Sequence, residues 1–130
     1  MKYAVFLLLA CCGPKEPTFT VLQEELFSQS CAFSSCHGSA FTASRLDLRA
    51  GKAFTQLVGK PSEHEPTRLL VVPGDPDASY LIDKLYGKRI PSTIDHPDHA
   101  DLMPPAGSGT VSEELKSLAR EWVARGAKND

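Results

Sequence analysis

The sequence has no apolar run approaching the roughly 20 residues that a membrane-crossing helix needs. Ala4–Ala10, bounded by Lys2 and Tyr3 on one side and by cysteine on the other, is too short to span. A basic stripe is missing as well. Fourteen lysines and arginines stand against sixteen acidic residues, a formal net charge of -2, with no arginine-rich run, so nucleic-acid binding has no electrostatic footprint. No alternation of apolar and polar residues suggests a strand, no Asn-Gly or Asp-Gly pair sets up a hairpin, and no period of 20 to 50 residues marks a repeat. Glu24, Glu25, Glu113 and Glu114 fall on solvated helix faces and helix starts, so nothing pairs carboxylates for acid-base work.

The chain has 130 residues of even composition, enough for one small domain. A core of that size is limited, and small domains often gain stability from a disulfide, a metal or an enclosed cofactor. The four cysteines, Cys11, Cys12, Cys31 and Cys36, are therefore the first residues to weigh. Residues 1–10 have the charged start and short apolar stretch of an export signal. Leu8-Leu9-Ala10-Cys11 resembles the lipobox of bacterial lipoproteins, which implies lipidation at Cys11, attachment to the membrane through that lipid, and an exported protein on the periplasmic side. Cleavage there removes Lys2 and moves the formal charge from -2 to -3. Residues 11–18, with Gly13, Pro14 and Pro17, have the composition of a tether, and 19–130 form the domain. Cys12 fits a free thiol, a second acyl site or an intermolecular bridge.

Helical spacing recurs through the domain. Val21, Leu22, Leu26 and Phe27 predict a first helix over Phe19–Ser30, and Ala50–Val58 a second, ended by Gly59 and Pro61. Asp75 and Pro76 read as the N-cap and first position of a third helix running to about Tyr86 and stopped by Gly87. Thr110-Val111-Ser112-Glu113 offers a capping box for a last helix, in which Leu115, Leu118, Ala119, Trp122 and Val123 share a face and Gly126 closes the end. The fold class expected is all-α.

The densest chemistry is Cys31-Ala32-Phe33-Ser34-Ser35-Cys36-His37-Gly38. Two cysteines followed at once by histidine can hold a haem covalently: the thiols add to its vinyl groups while the adjacent imidazole reaches the iron. Here four residues separate the cysteines where the usual motif has two. A plain Cys31–Cys36 disulfide in an oxidising compartment is the competing explanation. Downstream, Met103 in Leu102-Met103-Pro104-Pro105 can supply a thioether to the iron or simply fill a loop. The order C-A-F-S-S-C-H-G, V-P-G-D-P-D-A-S-Y-L, L-M-P-P and W-V-A-R-G-A resembles the small monohaem cytochromes c, in particular cytochrome domains of planctomycete and myxobacterial exported proteins, over roughly Val21 to Ala127, nearly the whole chain after the leader.

That resemblance implies a cytochrome c fold of roughly three to five helices around one haem c, with first and last helices crossing. It implies Cys31 and Cys36 as attachment thiols, His37 as proximal ligand, Met103 as distal ligand, and the function of an electron carrier serving redox partner proteins, not an enzyme. His64, His96 and His99 are alternative distal ligands. Asp95–Asp101 gathers two histidines and three carboxylates that fit either a divalent cation or a solvated loop. Arg68 and Tyr80 are equally a pair of donors to haem carboxylates or a surface ion and a core ring. Two other classes remain: a haem-free, disulfide-stapled interaction module, and a haem enzyme or gas sensor with a displaceable distal ligand.

Overall fold

In the computed structural model of the chain, the structure describes residues 13–39, 41, 45–88, 102–105 and 107–130. Cys11, Cys12, the Asp95–Asp101 cluster, and with it His96 and His99, lie outside the described residues. Four α-helices occur among those described: α1 Phe19–Leu22, α2 Ala53–Leu57, α3 Tyr80–Tyr86 and α4 Glu113–Ala124. Extended backbone is confined to isolated bridges, Val58 with Val71, Pro61 with Leu69 and Val72 with Asp75, so the described domain is all-α. Among the described residues no helix is long and apolar enough to cross a membrane.

Phe19–Leu22 starts where expected, because the Thr18 hydroxyl accepts a hydrogen bond from the Val21 N–H at 3.3 Å. The helix does not continue as a regular α-helix. From Gln23 to Cys31 it widens into a π-helical segment, closed by the Ala32 N–H donating to the Phe27 carbonyl five residues back. Leu22, Leu26 and Phe27 remain fully buried along it. The opening of α1 is also tied to Asp130, whose side chain and backbone accept from the N–H groups of Phe19 and Thr20, both at 2.9 Å.

Helix α3 begins later than its sequence suggests. Asp75 caps a turn, accepting from the Ala78 N–H at 3.0 Å, and Ser79 is the N-cap of a helix that starts at Tyr80. Ser79 is fully buried, and its hydroxyl takes the Val72 N–H at 2.8 Å and donates to the Asp75 carbonyl at 2.8 Å, which locks the turn and prevents earlier helix entry. The C-terminal stop is at Gly87, in the left-handed conformation with φ 65°. For α4 the cap is Ser112, not Thr110: its hydroxyl accepts from the Leu115 N–H at 3.2 Å. Leu118, Ala119, Trp122 and Val123 are buried together, as their spacing predicts.

The core is one cluster. Phe19 and Trp122 bring α1 and α4 together with ring centroids 5.5 Å apart, and Phe54 from α2 meets Phe19 edge-on at 5.2 Å. The indole N–H of Trp122 donates to the Lys128 carbonyl at 2.8 Å, so the ring is buried without an unpaired donor. Helix α3 packs on α4, and its Ile82 and Leu85 belong to the same cluster.

Candidate functional site

The π-helical segment delivers Cys31 to the start of a tightly folded loop. Within it the Cys36 and Gly38 N–H groups both donate to the Phe33 carbonyl at 2.9 Å, and the His37 N–H donates to the Cys31 carbonyl at 3.1 Å. Gly38 is required by this folding: a Cβ there would lie 2.6 Å from the Phe33 oxygen, a distance no side chain tolerates. The four residues between the cysteines are thus taken up as a compact turn, with Phe33, Ser34 and Ser35 on the outside.

His37 is held from both ends. Its carbonyl accepts from the Leu48 N–H at 2.9 Å, and its ring Nδ1 lies 3.1 Å from the Leu46 carbonyl. A carbonyl can only accept, so Nδ1 carries the proton of that bond and Nε2 carries the ring's lone pair. This is the arrangement by which a backbone carbonyl orients an imidazole that ligates a metal.

Met103 is positioned from the other side. Its N–H donates to the Lys84 carbonyl on α3 at 2.8 Å, and Leu102 packs against Gly87, where a Cβ would stand 3.3 Å from the leucine Cδ1. The end of α3 therefore fixes the height of the Leu102–Pro105 segment.

Between these elements lies a cavity of about 430 Å³, within the range of roughly 300–1,000 Å³ usual for cofactor and small-molecule sites. Cys31, His37 and Met103 all line it, although 65 residues separate the histidine from the methionine in sequence. Phe27, Leu46, Leu48, Leu57, Leu70 and Leu85 supply apolar wall. Lys60, Ser62, His64, Tyr80 and Lys84 add polar groups. His64 therefore shares the cavity with Met103, though its side chain is exposed. Cys36 is not among the lining residues; its sulfur sits beside the Ser35 hydroxyl at 3.7 Å, next to His37 in the chain.

Cys31 and Cys36 are free thiols, not a disulfide. Burial pushes the Cys31 thiol up to about 12, with a smaller contribution from Cys36. A neutral thiol suits an apolar wall, and burial there disfavours the reactive thiolate. One imidazole of defined tautomer, one thioether and one thiol on a shared apolar cavity, with a second thiol adjacent, fit the donor set of a c-type haem. Among the described residues no group of three histidine, cysteine or acidic side chains is gathered to hold a free metal ion.

Sequence reasoning did not identify Leu46 or the Lys84 carbonyl, because both act through the backbone and leave no side-chain signature. Gly38 was visible only as part of the motif; its necessity comes from the Phe33 carbonyl above it. No family model, curated protein or solved structure matches the chain.

Proposed function

We propose that this protein is a monohaem electron carrier of the cytochrome c type, exported and held at the periplasmic side of a bacterial membrane by a lipid on Cys11. The observation that carries the reading is the convergence of Cys31, His37 and Met103 on one apolar cavity. Cys31 and Cys36 would hold the haem through their thiols, and His37 and Met103 would donate to its iron. Bound there, haem c supplies a one-electron iron couple.

The protein's own residues do the rest. The Leu46 carbonyl keeps the His37 ring in the tautomer that presents Nε2. The anchorage of Met103 to α3 keeps its thioether at the cavity, and a soft sulfur donor favours the reduced metal, so a histidine–methionine pair raises the potential relative to two histidines. Phe27, Leu57 and Leu85 give the cavity apolar wall, which lowers the local dielectric. With His37 and Met103 both donating to the iron, the chain would leave no position on it for a substrate, and the protein would pass electrons to redox partner proteins.

The test is a pyridine haemochrome spectrum of protein made with haem-attachment machinery, before and after acid-acetone extraction. A c-type spectrum that survives extraction is expected. Colourless protein carrying a Cys31–Cys36 bridge overturns the reading in favour of an interaction module, and rapid carbon monoxide binding to the ferrous form converts it to a gas sensor or haem enzyme.

A further inference from the structure

The chain just ahead of α1 is fixed to the domain. Pro17 is buried, and the Thr18 N–H donates to the Glu16 carbonyl at 2.9 Å in a tight turn. Lys15 forms an ion pair with Glu25 on the π-helical segment, and Glu16 lies 3.6 Å from the Arg125 guanidinium just beyond α4. Exposed ion pairs contribute little singly. Here they stand beside a buried proline and beside the bonds from Phe19 and Thr20 to Asp130, so several weak contacts act on one short stretch. Lys15 is therefore the point at which the chain leaves the domain.

The position of that point sets the mechanics of a lipid on Cys11. Four residue steps separate Cys11 from Lys15, an extended reach of about 14 Å. Were the chain free as far as Phe19, eight steps would reach about 28 Å. A domain of this length is roughly 35 Å across. The longer leash spans most of that diameter and would let almost any side turn to the bilayer. The shorter one spans less than half of it and keeps the exit point on the half nearer the bilayer.

The cavity lies away from that exit. Among the described residues, none of those lining it comes from 13–22 or from 113–130. Cys31 stands at the other end of the helical run that begins at Phe19, up to about 18 Å along its axis. The surface around the exit carries Lys15, Arg125 and Lys128 against Glu16, Glu25, Glu121 and Asp130, three cations to four carboxylates, and Glu16 and Glu121 both pair with Arg125. It has no surplus of positive charge to attract anionic headgroups.

Resting on the lipid-anchor reading of Cys11, we propose that the surface formed by residues 15–20 and 121–130 faces the bilayer, and that the docked stretch Lys15–Thr18 keeps the cavity turned to the aqueous side. The occupant of this surface is a phospholipid bilayer, kept there by the short leash and not by charge. Whatever the cavity holds is thereby presented to proteins approaching from solution.

The test uses the full-length acylated protein in phosphatidylcholine nanodiscs containing a lipid with a nitroxide headgroup. Loss of NMR signal at each backbone amide, against the same discs without nitroxide, reports its approach to the bilayer. The Thr20, Gly126 and Lys128 amides should lose several-fold more signal than those of Ser62, Leu70 and Lys84. Twelve Gly/Ser residues inserted after Gly13 add about 20 Å of average reach and should bring the two groups level. A Glu16→Gln/Pro17→Gly double variant, which loosens the docking, should narrow the difference part of the way. Exchanging some of the phosphatidylcholine for phosphatidylglycerol should leave it unchanged.

Equal losses in the two groups of the wild type overturn the proposal, as does a larger loss on the cavity side. A difference that appears only with phosphatidylglycerol assigns the orientation to charge, and an insertion without effect removes the leash as its cause; either result overturns it. Intact mass and flotation with vesicles separate the two readings: acylated, floating protein with equal losses defeats this inference alone, whereas protein without an acyl chain defeats the anchor reading and this inference with it.

Discussion

Phe19 and Trp122 stand with ring centroids 5.5 Å apart and planes inclined at 41°, joining the first turn of α1 to the last turn of α4. Trp122 is 1 % exposed and Phe19 7 %. Trp122→Ala leaves a cavity where these helices meet and should cost about 3–5 kcal/mol, a large part of the stability of a domain this small. Trp122→Phe keeps a ring but loses the donor to Lys128 and should cost less. Urea denaturation of the purified protein measures both, and equal midpoints for wild type and Trp122→Ala would contradict the packing described.

Gly87 couples helix termination to the methionine. Its φ of 65° lies in the left-handed region, and a Cβ would press within 3.3 Å of Leu102. Gly87→Ala should lower stability by roughly 1 kcal/mol through backbone strain. On the haem reading proposed above, it should also weaken the methionine–iron absorption band, since Met103 follows Leu102 directly. A stability loss with an unaltered band would separate the cap from the ligand loop.

Asp47 sets an acid limit. It is buried next to the motif and accepts the Arg49 side chain in two bonds, at 2.9 and 2.7 Å. The Arg49 hydrogen bond holds its carboxyl down at about 2, below the ordinary 3.8. Because the folded value is the lower one, unfolding takes up a proton between these values. The stabilisation is complete above about pH 4 and is lost as the pH falls toward 2. Asp47→Asn should therefore flatten the pH dependence of thermal unfolding in this window, and an unchanged slope would remove Asp47 as its source.

Cys31 sets a limit of opposite sign. Its thiol is raised from 9.0 to about 12 by burial, so its contribution is full below pH 9 and disappears as the pH rises toward 12. In protein made without haem, Cys31 should be alkylated at pH 8.5 at least about tenfold more slowly in the native than in the urea-unfolded state, because the thiolate is the reacting species. Peptide mapping by mass spectrometry reads each cysteine separately, and equal native and unfolded rates would deny the burial of Cys31.

Legibility in the sequence followed the kind of force involved. Helix α4 was readable because Leu118, Ala119, Trp122 and Val123 repeat at helical spacing and burial follows that repeat. The stop at Gly87 was readable because only glycine adopts the required backbone cheaply. The start of α3 was misplaced because Asp75 and Pro76 suit a helix and a turn alike; the decision fell to Ser79, whose buried hydroxyl bridges Val72 and Asp75. The cap of α4 shifted from Thr110 to Ser112 for a related reason: both are capping residues, and only the fold chooses. At the site, Cys31, His37 and Met103 were named from residue type and order, and the fold brings them to one cavity, while Cys36 stands off the wall. The Leu46 carbonyl had no signature because every residue has one.

The wide turn between Gln23 and Cys31 makes chain length itself a determinant of chemistry. A helix that spends an additional residue on each bonded ring rotates everything beyond it, so the direction of Cys31 depends on how many residues precede it as much as on which they are. Removing one residue between Gln23 and Ser30 would leave every named ligand in the sequence and still aim the sulfur elsewhere. In this protein the phase of one helical segment is part of the address of the thiol.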